Sequence, residues 1–144
     1  MYCRAIAELV DDLDPCALAA GLLVVQRRHP LLNVHVEDHP QTGVRFRRPA
    51  RVPPVPVTVV DAATGHTRCD VVAEELIRPF DISSAPMIRV VLLRSGPGIP
   101  AAIVLTAADI IVDGLSAGYV LRSALRCCGV RPRRLLCLAG AHRT

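Results

Sequence analysis

Two aspartates, Asp109 and Asp113, lie in a short segment between an apolar run and a helical pattern. The apolar run, Ala101 to Leu105, predicts a buried strand, and Leu115 to Leu125 predicts a helix. A carboxylate at such a junction can accept a proton from a reacting group, but aspartate, with a reference pKa of about 3.9, is a weak base at neutral pH. The simpler interpretation is that Asp113 and Gly114 only form a turn and begin the helix.

Histidine and cysteine supply two pairs with metal-ligand spacing, His35 with His39 and His66 with Cys69. Neither pair has a second pair at a suitable separation, so the sequence predicts no metal site and no bound cofactor. The six cysteines include no Cys-x-x-Cys motif and indicate reduced thiols, as is typical of a cytoplasmic protein.

The composition fits one domain of 144 residues that is unusually apolar, with 51% hydrophobic residues and a mean hydropathy of +0.38. Aspartates interrupt the most apolar region, Ile99 to Leu121, so no membrane span is predicted. An apolar surplus without a membrane span indicates a face that another surface covers.

The net charge is +4, and all 17 basic residues are arginine. Eight of the arginines form two clusters, at positions 45–51 and 126–134. Aromatic residues make up only 3% of the chain and no recognition motif accompanies either cluster, so a solvated basic face is favoured over nucleic-acid binding.

The predicted elements alternate between helices and strands. The predicted strands are Tyr2 to Leu9, Leu32 to Val36, Val44 to Arg48, Val57 to Val60, Met87 to Leu93 and Ala101 to Leu105. The predicted helices are Pro15 to Arg28, Thr67 to Arg78 and a third that starts near Leu115. We expect Asp14 and Thr67 to cap the first two helices. We expect Val72, Leu76 and Ile77 to face inward from the second.

The segment Ala108–Gly114 resembles the His-His-x-x-x-Asp-Gly signature of the condensation-domain and acyltransferase superfamily, which has the chloramphenicol acetyltransferase-like fold. Ala108 and Asp109 occupy the positions of the two histidines. The segment Phe80–Arg89 is similar to the family's Phe-Asp-Leu…Pro-Leu-Arg stretch.

Two segments nearer the N-terminus extend the resemblance. Residues 28–32 are similar to the family's Arg-His-x-x-Leu-Arg segment, with Asn33 at the second arginine position. Residues 5–18 look like the first strand and helix of the family. The four segments follow the family's order.

The resemblance implies an α/β fold, namely the N-terminal lobe of a chloramphenicol acetyltransferase-like enzyme with a mixed sheet flanked by helices, over residues 1–125. Residues 126–144 form a basic, cysteine-containing tail, which either continues the native fold or replaces the family's continuation after a change of reading frame. The family's second lobe has no counterpart in the sequence. The chain is therefore expected to be a truncated family member that forms one wall of an active-site tunnel.

The function implied by the resemblance is transfer of an acyl group to an alcohol or amine, in polyketide or lipid biosynthesis. The donor substrate would be acyl-CoA or an acyl group on the phosphopantetheine arm of an acyl carrier protein. Asp109 lies at the position of the general base, and loss of a general base typically slows a reaction by about 10²–10⁴-fold. Asp113 is expected to pair with Arg28 and to fix the loop, and Gly114 to allow close backbone approach.

Other residues of the chain are not expected to replace the missing histidine. The resemblance places His29 and His35 away from the loop, and Ser116 is expected in the first turn of a helix. The sequence therefore predicts impaired or absent catalysis. Two alternatives stay open: a non-catalytic lobe that binds a complementary C-terminal lobe or itself, and a gene remnant without a role.

Overall fold

The computed structural model describes residues 2–61, 67–96, 98–112 and 114–138. The helices are α1 (Pro15–Arg28), α2 (Arg68–Ile77) and α3 (Gly114–Cys127). The strands are β1 (Tyr2–Leu9), β2 (His35–His39), β3 (Gly43–Arg47), β4 (Val57–Asp61), β5 (Ile88–Arg94), β6 (Ala102–Ala108) and β7 (Pro132–Leu138). The predicted α/β fold is confirmed.

Five strands form the main sheet in the order β4-β5-β6-β1-β7, and β2 and β3 form a separate hairpin. The β4–β5 pair is parallel, and the other pairs of the main sheet are antiparallel. The sheet is therefore mixed, as predicted. In its centre, β5 and β6 are buried along nearly their whole length because they are continuous apolar runs.

Helices cover both faces of the main sheet. Because successive side chains of a strand point to opposite faces, the apolar residues form two cores, one on each face. On one face, residues such as Ala5, Leu92 and Leu105 belong to a large core under α1 and α3. On the other face, Ile6 and Val104 belong to a smaller core under α2. No helix within the described residues combines the length and apolarity needed to cross a membrane.

The predicted caps of α1 and α2 are confirmed. The Asp14 carboxylate accepts a hydrogen bond from the Cys16 amide at 2.9 Å. Thr67 and Asp70 form a reciprocal capping box, in which the Thr67 amide donates to the Asp70 carboxylate at 2.8 Å. These local bonds satisfy amides that the first helical turn leaves unpaired.

The predicted inward face of α2 is wrong at Leu76 and Ile77, whereas Val72 does pack against the smaller core. Val72 is only partly buried, and Leu76 and Ile77 are exposed by 55% and 84%. Val71 and Glu75 face the sheet instead. Helix α2 turns its Val71 and Glu75 side toward the sheet because Glu75 has charged and polar partners there, which compensate for its burial.

The strand predicted at Leu32 to Val36 is also wrong in its first half. The chain forms a 3₁₀ turn at Pro30–Asn33 before β2 begins at His35. The Asn33 side chain donates from Nδ2 to the carbonyl oxygens of Gln26 at 2.7 Å and His29 at 3.1 Å. These bonds turn the chain back around the end of α1, so an extended conformation is excluded there.

Two glycines allow α3 to lie close to its neighbours. A Cβ added to Gly21 of α1 would lie 2.6 Å from the Ala124 carbonyl oxygen of α3. A Cβ added to Gly118 of α3 would overlap the Cys137 sulfur of β7. Strand β7, within the predicted tail, is thus packed against α3 and paired with β1 from Arg4–Leu138 to Leu9–Pro132.

Candidate functional site

The motif loop, residues 109–112, follows β6 directly. The Ala108 amide donates to the Met87 carbonyl oxygen at 3.0 Å, and the Ile111 amide donates to the Ala108 carbonyl oxygen at 3.1 Å. Ile111 and Val112 are 6% and 7% exposed and anchor the loop in the core. Asp109 is half-buried at the first position of this turn. A tight turn with two buried apolar residues holds its backbone in one place.

Helix α3 begins at Gly114, and Ser116 lies exposed in its first turn. The motif therefore has the strand–turn–helix setting that the sequence predicts. Asp113 lies outside the described residues, so the expected ion pair with Arg28 stays a prediction. Arg28 itself is exposed in the last turn of α1.

The C-terminal end of α1 lies beside the first half of α3. The His29 and Tyr119 rings meet edge to face, with centroids 5.9 Å apart and planes at 90°. Tyr119 is one and a half turns into α3 by the usual helical repeat of about 3.6 residues. This contact places the Arg-His segment beside the motif helix, at a residue beyond the loop itself.

Gln26 and Asn33 support this end of α1, and neither role is predicted by a sequence pattern. The buried Gln26 side chain donates from Nε2 to the Pro53 carbonyl oxygen at 2.9 Å and accepts from the Val55 amide at 3.2 Å. It thereby fixes the proline-rich connector against α1. Asn33, at the position of a family arginine, instead caps the helix end through its amide.

The first and last residues of the Phe80–Arg89 segment are in contact with each other. The Arg89 guanidinium carbon lies 4.2 Å from the centroid of the Phe80 ring. Arg89 also donates from Nη2 to the Arg78 carbonyl oxygen at 2.7 Å and from Nη1 to the Pro79 carbonyl oxygen at 3.1 Å. Arg89 thus binds the residues that follow α2, and Phe80 packs against its guanidinium, so both ends of the motif have a structural role.

Under α2, a buried polar network joins three strands. Arg89 Nε donates to the Glu75 carboxylate at 2.6 Å, and Thr106 Oγ1 donates to the same oxygen at 3.2 Å. Arg4 Nη2 donates to the Glu75 carbonyl oxygen at 3.1 Å. Burial lowers the pKa of Arg4, and the nearby Glu75 carboxylate partly offsets that effect. The network fixes α2, which lies on the sheet face opposite α3.

The histidines and cysteine of the two pairs with metal-ligand spacing have other contacts or lie outside the described residues. The His39 ring accepts hydrogen bonds from the Gln41 and Thr42 amides, so it serves the hairpin turn. His35 Nδ1 lies 3.3 Å from the Val36 carbonyl oxygen, and His66 is not among the described residues. In the described ranges, no group of three or more His, Cys, Asp or Glu side chains is suitably arranged for a metal ion.

Comparison of the sequence with known proteins gives one informative relative. Eighty-five residues are 33% identical to the cyclosporin synthetase simA of Tolypocladium inflatum, covering 59% of this chain and 1% of that protein. No family model matches the sequence. The similarity is therefore to a small segment of a very much longer synthetase.

Comparison with solved structures gives the fold. The first condensation domain of the calcium-dependent antibiotic synthetase matches with a TM-score of 0.72 at 14% identity, over 88% of this chain and 33% of that chain. The starter condensation domain of rhizomide synthetase RzmA matches with a TM-score of 0.66 at 18% identity, over 92% and 33%. The tallysomycin biosynthesis protein TlmII matches with a TM-score of 0.69 at 20% identity, over 89% and 30%.

The chain thus has the chloramphenicol acetyltransferase-like fold of condensation domains, in the part that forms their N-terminal lobe. It spans about a third of the length of each of these three solved chains.

Proposed function

We propose that this chain supplies the N-terminal lobe of a condensation-type acyltransferase in nonribosomal peptide synthesis, with Asp109 in place of the general base. The observation that carries the proposal is the fixed turn around Asp109, between β6 and α3, in a fold that matches a condensation domain with a TM-score of 0.72. The partly identical segment of a cyclosporin synthetase favours nonribosomal peptides over polyketides or lipids.

In the proposed reaction, an amine or hydroxyl of the acceptor attacks the carbonyl carbon of an acyl thioester. A base removes the acceptor's proton, the C–S bond breaks, and the departing thiolate takes up a proton. The donor is acyl-CoA or an acyl group on a carrier protein's phosphopantetheine arm. A carboxylate is a weaker base than an imidazole and reaches less far, so we expect transfer to be slower by about 10²–10⁴-fold or absent.

A complete site needs a second lobe, because each solved condensation domain is much longer than this chain. We infer that a complementary C-terminal lobe supplies the rest of the site. No disulfide joins any of the six cysteines, all of which lie in the described residues, and this favours a location in the cytoplasm.

The test is thiol release from acyl-CoA and acyl-pantetheine, with a panel of amine and alcohol acceptors. The protein is assayed alone and with the second lobe of the RzmA starter condensation domain, expressed separately. We expect little or no release above the uncatalysed rate in both cases. Turnover that Asp109→Ala abolishes would show that the carboxylate is an effective base and would overturn the proposal of impaired catalysis.

A non-catalytic lobe that self-associates is the second candidate, and an apolar groove favours it. The groove, of about 330 Å³, runs between α2 and β7 and is lined mainly by Ile6, Val72, Ala73, Leu76 and Leu136. Leu76 and Leu136 are 55% and 43% exposed. Exposed apolar side chains around one groove are typical of an interaction surface.

Light scattering coupled to size-exclusion chromatography tests this candidate. We expect a dimer that the double variant Leu76→Glu/Leu136→Glu converts to a monomer. Val44→Glu is the matched control, because Val44 is 71% exposed on the separate hairpin. A monomeric native protein would contradict self-association.

A further inference from the structure

An open pocket of about 680 Å³ lies between the C-terminal end of α3 and the start of β7, far from the motif loop along the helix. Five arginines line it: Arg122, Arg126, Arg131, Arg133 and Arg134. The helix contributes two of them, and the turn and β7 contribute the other three. Gly129, with φ of +70°, makes the turn that brings the two groups together.

These arginines are not needed to cap α3. The Cys128 amide donates to the carbonyl oxygens of Ala124 and Leu125 at 3.3 and 3.0 Å. The Val130 amide donates to Leu125, and the Gly129 amide to Arg126, each at 3.0 Å. The backbone therefore satisfies the carbonyl groups of Ala124, Leu125 and Arg126, so the common role of basic residues at a helix C-terminus does not explain a cluster of five arginines.

The positive charge of the pocket is uncompensated within the described residues. None of its five arginines forms an ion pair there, whereas Arg45, Arg47, Arg68, Arg89 and Arg94 each contact a carboxylate. The sequence has no acidic residue from position 114 to its end. Glu8 lies across from Arg134 in the β1–β7 register, but its carboxylate binds Arg68 at 2.9 Å.

Five like charges around one concavity repel one another, and a bound anion relieves that repulsion. A guanidinium binds phosphate through two parallel hydrogen bonds, which a lysine cannot do. The volume is in the range of small-molecule sites, which is about 300–1,000 Å³. The lining contains no aromatic side chain on which nucleic-acid bases could stack.

We propose that this pocket binds a small ligand that carries two or more phosphate groups. The phosphates are those of a free polyphosphate anion or of the nucleotide end of a cofactor such as coenzyme A. This site is independent of the proposed acyl transfer, because it requires neither Asp109 nor a second lobe.

Isothermal titration of the full chain with sodium pyrophosphate and, separately, with coenzyme A tests the proposal. We expect saturable binding of one ligand per chain that weakens as salt rises. Arg126→Gln and Arg131→Gln should each weaken binding by about tenfold or more, as expected for loss of a charged hydrogen bond. Arg51→Gln is the control for loss of one exposed charge outside the pocket.

The two ligands distinguish the source of the phosphates. Tighter binding of coenzyme A assigns the site to a nucleotide cofactor, and equal binding assigns it to the phosphates alone. Three results would overturn the proposal: no saturable binding, equal weakening by Arg51→Gln, or preferred binding of a DNA oligonucleotide with stoichiometry that rises with its length. Circular dichroism of each variant confirms that it is folded.

Discussion

Arg89 Nε donates to the Glu75 carboxylate at 2.6 Å, and both side chains are more than 90% buried. The pair joins β5 to α2 and is the centre of the polar network under that helix. Burial of two charges is unfavourable unless each is paired and hydrogen-bonded, and here Thr106 and two backbone carbonyl groups complete the bonding.

Glu75→Gln should destabilise the protein strongly, because it leaves the buried Arg89 charge without its counter-charge. Removal of one partner of a buried ion pair typically lowers the free energy of unfolding by about 3–5 kcal/mol. Urea unfolding followed by circular dichroism measures the change. Glu74→Gln, at an exposed position on the same helix, is the control. An equal effect of both substitutions would contradict the role of the pair.

Gln26→Met should release the proline-rich connector from α1. The substitution keeps the side-chain volume but leaves the Pro53 carbonyl and the Val55 amide without their partner. A buried group that loses its hydrogen bond typically destabilises by about 1–3 kcal/mol. Hydrogen exchange at residues 52–57 should quicken, and Gln41→Met in the exposed hairpin turn should leave it unchanged.

The ion pair between Asp12 and Arg94 should make the free energy of unfolding depend on pH. Hydrogen bonds from Arg94, at 2.6 and 3.1 Å, lower the pKa of Asp12 below its usual 3.8. The stabilisation is therefore complete above the unfolded-state pKa and is lost as pH falls through the lower folded-state value.

Asp12→Asn tests this dependence by thermal unfolding. Because the pair is exposed, we expect a loss below about 1 kcal/mol at pH 7. The difference from the native protein should shrink below pH 3.8. A difference that stays constant with pH would show that the ion pair is not its cause.

Cys128 should react with alkylating agents much more slowly than Cys127. Burial raises the pKa of the Cys128 thiol, and its sulfur lies 3.2 Å from the Ala17 carbonyl oxygen. Only the thiolate is nucleophilic, so the neighbouring exposed Cys127 should be modified first. Iodoacetamide labelling at pH 7.5 followed by peptide mass spectrometry measures both rates. Equal rates would contradict the packed position of Cys128.

Much of the fold could be predicted from local patterns. The apolar runs of β5 and β6 and the caps at Asp14 and Thr67 are signals within a few neighbouring residues. The orientation of α2 could not be predicted in this way. It is decided by the partners of Glu75, which come from three strands distant in the sequence.

The sequence predicts the backbone turn of the candidate site, but not the side chains that hold its surroundings in place. The motif segment indicated the turn between strand and helix, which the structure contains. Gln26 and Asn33 gave no recognisable signal, because each bonds to backbone groups whose positions depend on the folded chain. The arginine pocket requires β7 to lie beside α3, and that pairing is a tertiary contact.

The proposed function, with Asp109 at the position of the general base, is tested most directly by the rate of acyl transfer by Asp109→His. This rate is measured as thiol release with the second lobe present. If the fixed turn preserves the position of the family's base, histidine should raise the rate by about 10²–10⁴-fold over the native chain. Asp109→Ala should match the native chain. No gain from histidine in a folded complex of the two lobes, or activity that depends on the native aspartate, would contradict the account.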